Sequence, residues 1–200
     1  MLRVEEIAQR PEFRRLATLR GVEIDLRYAC TDNFAGVNLY GTMDCAWLRA
    51  EAAAGLEAAG DWLAGQRPGW RLRVLDALRP QRVQEAIWND IVGTPMEHYF
   101  ANPQRGSIHS FGMAVDVTLL DPDGAEADMG SGFDEMAPAS HPALHVEHLA
   151  SGVLNAAQVA RRDCLRLAME HGGFHGIASE WWHFDHGDRD TVRREMPRVY

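Results

Sequence analysis

The chain has 200 residues, of which 46% are hydrophobic and 24% are charged, and its formal net charge at pH 7 is −9. This composition is typical of a compact folded protein and excludes a disordered or fibrous polymer, so residues 1–200 are predicted to form a single domain. The negative charge, with no cluster of Lys and Arg to offset it, argues against binding to nucleic acid.

No run of residues approaches the roughly 20 uninterrupted apolar positions that a membrane span requires. The first 20 residues carry many charged side chains and no apolar block, which is unlike a secretory signal. The three cysteines are widely spaced and form no Cys-x-x-Cys pair, which argues against a disulfide framework and a thiolate zinc cage. The sequence therefore predicts a cytoplasmic protein without a membrane partner, and it leaves the oligomeric state open.

In the first half of the chain, residues 42–66 are rich in Ala, Leu and Glu and predict a long helix with Thr42 as its cap. Residues 70–76 alternate large apolar with polar side chains, which predicts a half-buried strand. Pro80 follows that strand and suits the first turn of a helix over residues 81–91, because the missing proline N–H costs little there.

In the second half, residues 114–120 are short, apolar and rich in β-branched side chains, which predicts another strand. Asn155 and Gln158 have the spacing of a capping box and predict a helix over residues 156–171 that ends at two glycines. Residues 174–185 are aromatic and indicate a strand or a strand and turn. Because strands and helices do not alternate regularly, the pattern favours the α+β class.

Two short segments carry the residue types of a catalytic metal site. His109 lies in a Ser/Gly-punctuated segment just before the strand that contains Asp116, and Glu180 and His183 lie three residues apart between tryptophans. Two histidines and one carboxylate leave one position of a tetrahedral Zn²⁺ open for water. A further carboxylate nearby could then serve as general base.

Spacing alone leaves several alternatives open at these segments. It does not decide which carboxylate binds the metal and which acts as base, and it leaves His186 as another candidate ligand. A purely structural interpretation also exists, in which His183 and the two tryptophans beside it pack an edge of the core.

The segments Ser107-x-His109-x-x-Gly112-x-Ala114-x-Asp116 and Glu180-x-Trp182-His183 resemble the motifs of the zinc D-alanyl-D-alanine dipeptidases. That family is related more distantly to zinc D-Ala-D-Ala carboxypeptidases, lysostaphin-type endopeptidases and the amino-terminal domain of hedgehog proteins. The resemblance covers most of the chain. Further segments resemble the family in the same order: Tyr28-Ala29, Asn33-Phe34-x-Gly36, Asp76-x-x-Arg79-Pro80, Met129-Gly130-Ser131-x-Phe133-Asp134 and Ser140-His141.

The resemblance implies a fold with a small, mainly antiparallel sheet flanked by helices and zinc at the edge of the sheet. It also implies that His109, Asp116 and His183 bind one Zn²⁺ per chain, with Glu180 as the general base. The implied reaction is hydrolysis of the dipeptide D-Ala-D-Ala to free D-alanine.

Three further roles follow from the same resemblance. Arg79 is expected to stabilise the oxyanion and polarise the scissile carbonyl, Asp134 to hold the free ammonium group of the substrate, and Ser107 to position the dipeptide. Leu78 and Cys30 depart from the residues usual in the family, which puts the shape of the pocket in question. The remaining alternatives are another D,D- or L,D-dipeptide derived from the cell wall, and a non-catalytic zinc module that binds peptides.

Overall fold

The computed structural model describes residues 2–200, so Met1 of the predicted domain lies outside the described residues. The helices are α1 (Ala50–Gln66), α2 (Gln81–Ile91), α3 (His145–Ser151), α4 (Ala156–His171) and α5 (Arg189–Glu195). The strands are β1 (Phe13–Arg15), β2 (Val22–Ile24), β3 (Trp47–Arg49), β4 (Arg71–Asp76), β5 (Ala114–Leu120), β6 (Phe174–Gly176) and β7 (His183–His186).

A five-stranded sheet in the order β2-β4-β5-β7-β6 forms the centre of the protein. Only the β2–β4 pair is parallel, and the other three pairs are antiparallel. All seven residues of β5 are buried, as expected for an apolar, β-branched strand in the middle of a sheet. The α+β prediction with a small, mainly antiparallel sheet is confirmed.

The helices that carried strong local signals form where the sequence predicts them. α2 spans residues 81–91, with Pro80 immediately before its first residue rather than within its first turn. α4 begins with the predicted capping box: the Asn155 side chain accepts the Gln158 N–H, and the Gln158 side chain accepts the Asn155 N–H. Residues 174–185 form β6, a turn and the start of β7, as predicted for a strand and turn.

The predicted helix over residues 42–66 is wrong at its start. Thr42 does not cap it, and the helix begins eight residues later, at Ala50. Trp47–Arg49 instead forms β3, which pairs antiparallel with β1 and buries Leu48 completely. These long-range hydrogen bonds and the burial of Leu48 outweigh the local helix signal, because tertiary packing routinely overrides propensity.

No helix among residues 2–200 is both long enough and apolar enough to cross a membrane.

Helix α1 packs against the C-terminal end of α4 through a backbone contact between Gly55 and Gly172, the residue that follows α4. A Cβ atom on Gly55 would lie 2.3 Å from the Gly172 carbonyl oxygen, and one on Gly172 would lie 2.2 Å from the Gly55 oxygen. Two glycines therefore set the distance between these helices.

Gly55→Ala is expected to lower the free energy of unfolding by about 1–3 kcal/mol, because the methyl group forces the helices apart. Gly65→Ala in the same helix is the control, since a Cβ at Gly65 meets nothing within 4 Å. That change should be neutral or stabilise the protein by up to about 1 kcal/mol. Urea unfolding of the three proteins measures both effects, and equal stabilities would refute the contact.

Candidate active site

One cavity of about 350 Å³ opens beside the edge where β4, β5 and β7 end. Its volume is at the small end of the range for ligand pockets in proteins. All seven residues singled out from the sequence line it: Arg79, Ser107, His109, Asp116, Asp134, Glu180 and His183.

Three of these side chains converge on one point. His109 Nε2 lies 3.1 Å from His183 Nδ1 and 3.4 Å from Asp116 Oδ1, and His183 Nδ1 lies 3.0 Å from the same carboxylate oxygen. The structure therefore groups Asp116, and not Glu180, with the two histidines. His186 lies outside the group and packs edge-on against the ring of Phe174.

The outer nitrogen of each imidazole is also fixed. His109 Nδ1 donates a hydrogen bond to the Ala77 carbonyl oxygen over 2.7 Å, and His183 Nε2 lies 2.9 Å from the Asp185 carboxylate. Hydrogen bonds of this kind orient the rings of metal-binding histidines and set their tautomers. A neutral imidazole that donates through its outer nitrogen turns the lone pair of its inner nitrogen towards Asp116.

The cluster fits a metal ion. Two imidazole nitrogens and a carboxylate oxygen face one point, where either a proton or a metal cation can hold them together. Ligands about 2.0–2.2 Å from a tetrahedral zinc ion are separated by roughly 3.3–3.5 Å, which is close to the spacing found here. Two nitrogens and one oxygen are also a common donor set of catalytic zinc.

The electrostatics of the cluster favour positive charge. Although burial opposes it, His109 and His183 hold the pKa of the Asp116 carboxyl far below its ordinary value. Burial likewise opposes the charged form of His183, but Asp185 and Asp116 hold its pKa well above the ordinary value. The pKa of Asp185 itself is lowered to about 2: burial opposes this shift, and His183 and Arg189 produce it.

The sheet register explains why these residues meet. Asp116 on β5 lies directly opposite His183 on β7. His109 lies on a short 3-10 helix that ends at Gly112, where φ is +71° and a Cβ would lie 2.9 Å from the Phe13 ring. Glycine at this turn lets the chain turn tightly into β5, so that His109 lies beside Asp116 near the start of that strand.

Arg79 lies just after β4 and its guanidinium is held from several sides. Nε and Nη2 donate to Asp76 Oδ2 over 2.9 and 2.7 Å, and Nη1 donates to Gln84 Oε1 over 3.2 Å. The guanidinium carbon lies 4.7 Å from the centre of the Tyr28 ring, and Nη2 lies 3.5 Å from Asp116 Oδ2. Arg79 is thus a rigid, buried positive charge beside the metal cluster.

Glu180 lines the cavity with only 8% of its surface exposed. Burial raises its pKa to about 7, with the charge of His183 opposing the shift and that of Asp116 adding to it. Its position follows from the sheet, since the nearby Trp182 carbonyl oxygen accepts the Val117 N–H and extends the β5–β7 pairing towards it. A carboxylate with a pKa near neutrality is suited to accept and return a proton.

Asp134 is buried and has a φ of +58°, which makes it the one non-glycine residue with a positive φ among residues 2–200. The Tyr28 hydroxyl and the Phe34 N–H each lie 3.4 Å from its carboxylate oxygens. Burial and the charge of Asp116 raise its pKa well above the ordinary value. Residues held in such a conformation often belong to functional sites.

The loop that carries Asp134 is fixed from helix α4. Arg162 donates to the Met129 and Ala139 carbonyl oxygens and to Ser131 Oγ, over 2.7–3.0 Å. Trp181 Nε1 donates to the same hydroxyl over 3.0 Å. One buried arginine and one tryptophan next to Glu180 therefore connect this loop to the other side of the cavity.

Ser107 is buried at the start of the 3-10 helix and lines the cavity. Asp76 and Asp185 hold Arg79 and His183, and sequence reasoning gave neither a role, although Asp76 lies in one of the segments that resemble the family. A signal for Asp185 existed: His183 and Asp185 are two residues apart, and on a strand such residues share a face.

Leu78 is buried in the core and Cys30 is exposed, and neither is among the residues that line this cavity.

Comparison with known proteins gives consistent matches. The peptidase M15 family model, described as D-Ala-D-Ala dipeptidase, matches residues 12–200. The D-alanyl-D-alanine dipeptidase of Escherichia coli (strain K12) is 42% identical over 164 residues, which cover 82% of this chain and 78% of the relative. The D-alanyl-D-alanine dipeptidase of Enterococcus faecalis is 33% identical over 184 residues, which cover 83% of this chain and 86% of the relative.

Among solved structures, the LdcB LD-carboxypeptidase aligns with a TM-score of 0.52. The alignment covers 92% of this chain and 72% of that one at 16% sequence identity. The two proteins therefore share a fold.

Asp185→Asn is expected to weaken metal binding by about 10- to 100-fold, because a neutral amide no longer fixes the His183 ring or raises the basicity of its inner nitrogen. Competition with a chromophoric chelator, with zinc as the metal, measures the affinity. Asp61→Asn, on α1 and with a side chain that is 65% exposed, is the matched control and should bind zinc normally. An unchanged affinity in folded Asp185→Asn protein would contradict the role of this carboxylate.

Proposed function

Because this chain belongs to the D-Ala-D-Ala dipeptidase family of M15 metallopeptidases, we propose that it hydrolyses the dipeptide D-Ala-D-Ala to two molecules of D-alanine. One observation carries the proposal. A three-ligand cluster, a buried carboxylate with a pKa near 7 and an immobilised guanidinium all line one small cavity.

The proposed cofactor is one zinc ion per chain, held by His109, Asp116 and His183. When bound, zinc lowers the pKa of a water ligand towards about 7 and polarises a carbonyl oxygen. The two nitrogens and one oxygen of the cluster support this choice of metal.

Glu180 is the proposed general base. Its carboxylate takes a proton from the attacking water as the water oxygen bonds to the scissile carbonyl carbon. The same carboxyl group then gives that proton to the leaving amine nitrogen, so the peptide bond breaks and two amino acids result. Burial supports this role, because it brings the proton affinity of Glu180 close to neutrality.

Arg79 is proposed to stabilise the negative charge that develops on the carbonyl oxygen. Its bonds to Asp76 and Gln84 hold the guanidinium in place before the reaction begins. A preorganised group of this kind typically lowers the barrier by about 3–4 kcal/mol, since it needs no reorientation during the reaction.

The two other cavity residues are proposed to select the substrate. Asp134 pairs with the free ammonium group of the dipeptide, and the Ser107 hydroxyl positions the peptide. A buried carboxylate favours a positively charged partner, which supports the choice of a peptide with a free amino end.

Two broader proposals concern the whole chain. We place the protein in the cytoplasm, supported by the three free cysteines Cys30, Cys45 and Cys164, because thiols stay reduced in that compartment. We also take the chain to be one domain, supported by a single family model that matches residues 12–200.

Release of D-alanine from D-Ala-D-Ala, by protein of known zinc content, tests the function directly. We expect one zinc per chain and turnover that stops when a chelator removes the metal. A panel of D,D- and L,D-dipeptides in the same assay separates this substrate from other dipeptides of the cell wall. Zinc-loaded protein that hydrolyses none of them would refute the proposal in favour of a binding module.

Glu180→Gln is expected to lower kcat by about 10²- to 10⁴-fold and to leave the zinc content unchanged, because the amide cannot accept the proton of water. Glu170→Gln on α4 is the control, since Glu170 is half exposed and pairs with Arg166. A Glu180→Gln protein that keeps its rate would exclude Glu180 as the base.

Asp134→Asn is expected to stabilise the folded protein while lowering kcat/KM for D-Ala-D-Ala. Burial raises the pKa of Asp134 in the folded protein above its value in the unfolded chain. Ionised Asp134 therefore lowers the free energy of unfolding: the effect is absent at pH values below the pKa of the unfolded chain, and it grows as the pH rises towards the pKa of the folded protein. Asn also tolerates the positive φ. The gain in unfolding free energy from Asp134→Asn should therefore be larger at pH 8 than at pH 4. The reverse order would contradict a raised pKa of Asp134 in the folded protein.

A further inference from the structure

Three arginines, Arg105, Arg189 and Arg193, line one part of the cavity. Arg189 and Arg193 belong to α5, and Arg105 comes from the segment that leads to the metal-binding histidine His109. None of the three was singled out from the sequence, and the catalytic roles proposed above use none of them.

The arginines of the cavity differ in how many hydrogen bonds their guanidinium groups make to other protein groups. Arg79 is bonded to the Asp76 carboxylate, and Arg189 is bonded to the Asp185 carboxylate that orients His183. Both of these guanidinium groups therefore already have a carboxylate partner.

Arg193 is different, because it is largely buried and incompletely bonded. Its side chain is 16% exposed, and Nε donates to the Gly106 carbonyl oxygen over 3.3 Å. Nη1 is buried and has no hydrogen-bond partner among residues 2–200. Its nearest ion-pair partner, Asp190 Oδ1, lies 3.6 Å away on a side chain that is 81% exposed.

The surroundings of Arg193 make an anion favourable. Burial lowers the pKa of Arg193, and the positive charges of Arg105 and Arg189 lower it further. A carboxylate bound here would supply the missing acceptor and offset the repulsion among the three cations, since a buried charge is stabilised chiefly by a bonded counter-charge.

The position of Arg193 is linked to the catalytic residues. Gly106, which accepts its hydrogen bond, directly precedes Ser107. Helix α5 packs on the 3-10 helix that carries His109, with Val192 buried between the arginines of the helix. A ligand group held by Arg193 would thus have a fixed place relative to the metal cluster.

We propose that Arg193, supported by the charge of Arg105, binds the C-terminal carboxylate of the dipeptide substrate. This assignment rests on the proposed function and names the residue that makes the enzyme specific for a free carboxyl end. A dipeptide is a zwitterion, and the cavity then offers a partner to each of its charges: Asp134 to the ammonium group and Arg193 to the carboxylate. A longer peptide has no carboxylate at this point and would leave Arg193 unpaired.

The test compares D-Ala-D-Ala with D-Ala-D-alaninamide, which lacks only the negative charge, in the wild-type enzyme and in Arg193→Gln. In Arg193→Gln, kcat/KM for D-Ala-D-Ala should fall about 10- to 100-fold, mainly through a higher KM, because a charge-assisted hydrogen bond is lost. For the amide, kcat/KM should change by less than about threefold, so that the preference for the free carboxylate disappears.

Arg194→Gln is the matched control, since Arg194 is the next residue of α5, is exposed and pairs with Glu195. It should keep the wild-type preference. If Arg193→Gln loses activity equally on both compounds, Arg193 is only structural and the inference is overturned. Arg193→Lys retains the charge and should recover part of the preference; no recovery would also count against the inference. A wild-type enzyme that cleaves neither compound would instead overturn the proposed function.

Discussion

Three candidate metal-ligand atoms held 3.0–3.4 Å apart, with both outer imidazole nitrogens already hydrogen-bonded, form the constraint on which the rest of the site depends. Such an arrangement is unfavourable unless a proton or a metal cation lies between the atoms. The fold maintains it through elements that cannot shift independently: the Asp116–His183 register of the central sheet, the Ala77 carbonyl at the end of β4, and the Asp185 carboxylate. The geometry of this candidate metal site is therefore set jointly by the ends of several central strands.

The charged side chains around this cluster are linked in series by hydrogen bonds and ion pairs. The Tyr40 hydroxyl donates to Asp76, Asp76 holds Arg79, and Arg79 approaches Asp116. Buried charges are tolerated when each one is paired and hydrogen-bonded. Groups that are fixed in this way do not need to reorganise when charge develops on a substrate, which is the basis of electrostatic catalysis. The same packing that stabilises the site thus also prepares it for reaction.

The parts of the fold that the sequence predicts are those with strong local signals. The capping box at Asn155 and the apolar run of β5 each decide the structure within a few residues. The start of α1 was mispredicted because β3 exists only through its pairing with β1, more than 30 residues away. The metal cluster was anticipated from its motifs, with the choice between Asp116 and Glu180 left open by spacing. Asp76 and Arg193 act through contacts that appear only in three dimensions.

The candidate metal ligands come from distant parts of the chain. Asp116 and His183 are 67 residues apart in the chain and become neighbours only when β5 and β7 pair. An unfolded or nascent chain therefore offers a metal ion no preformed chelate, and the loop closure needed to make one is unfavourable. The complete set of ligand atoms exists only once β5 and β7 have paired, so the ability to hold a metal depends on an intact sheet and not on any short segment of the chain.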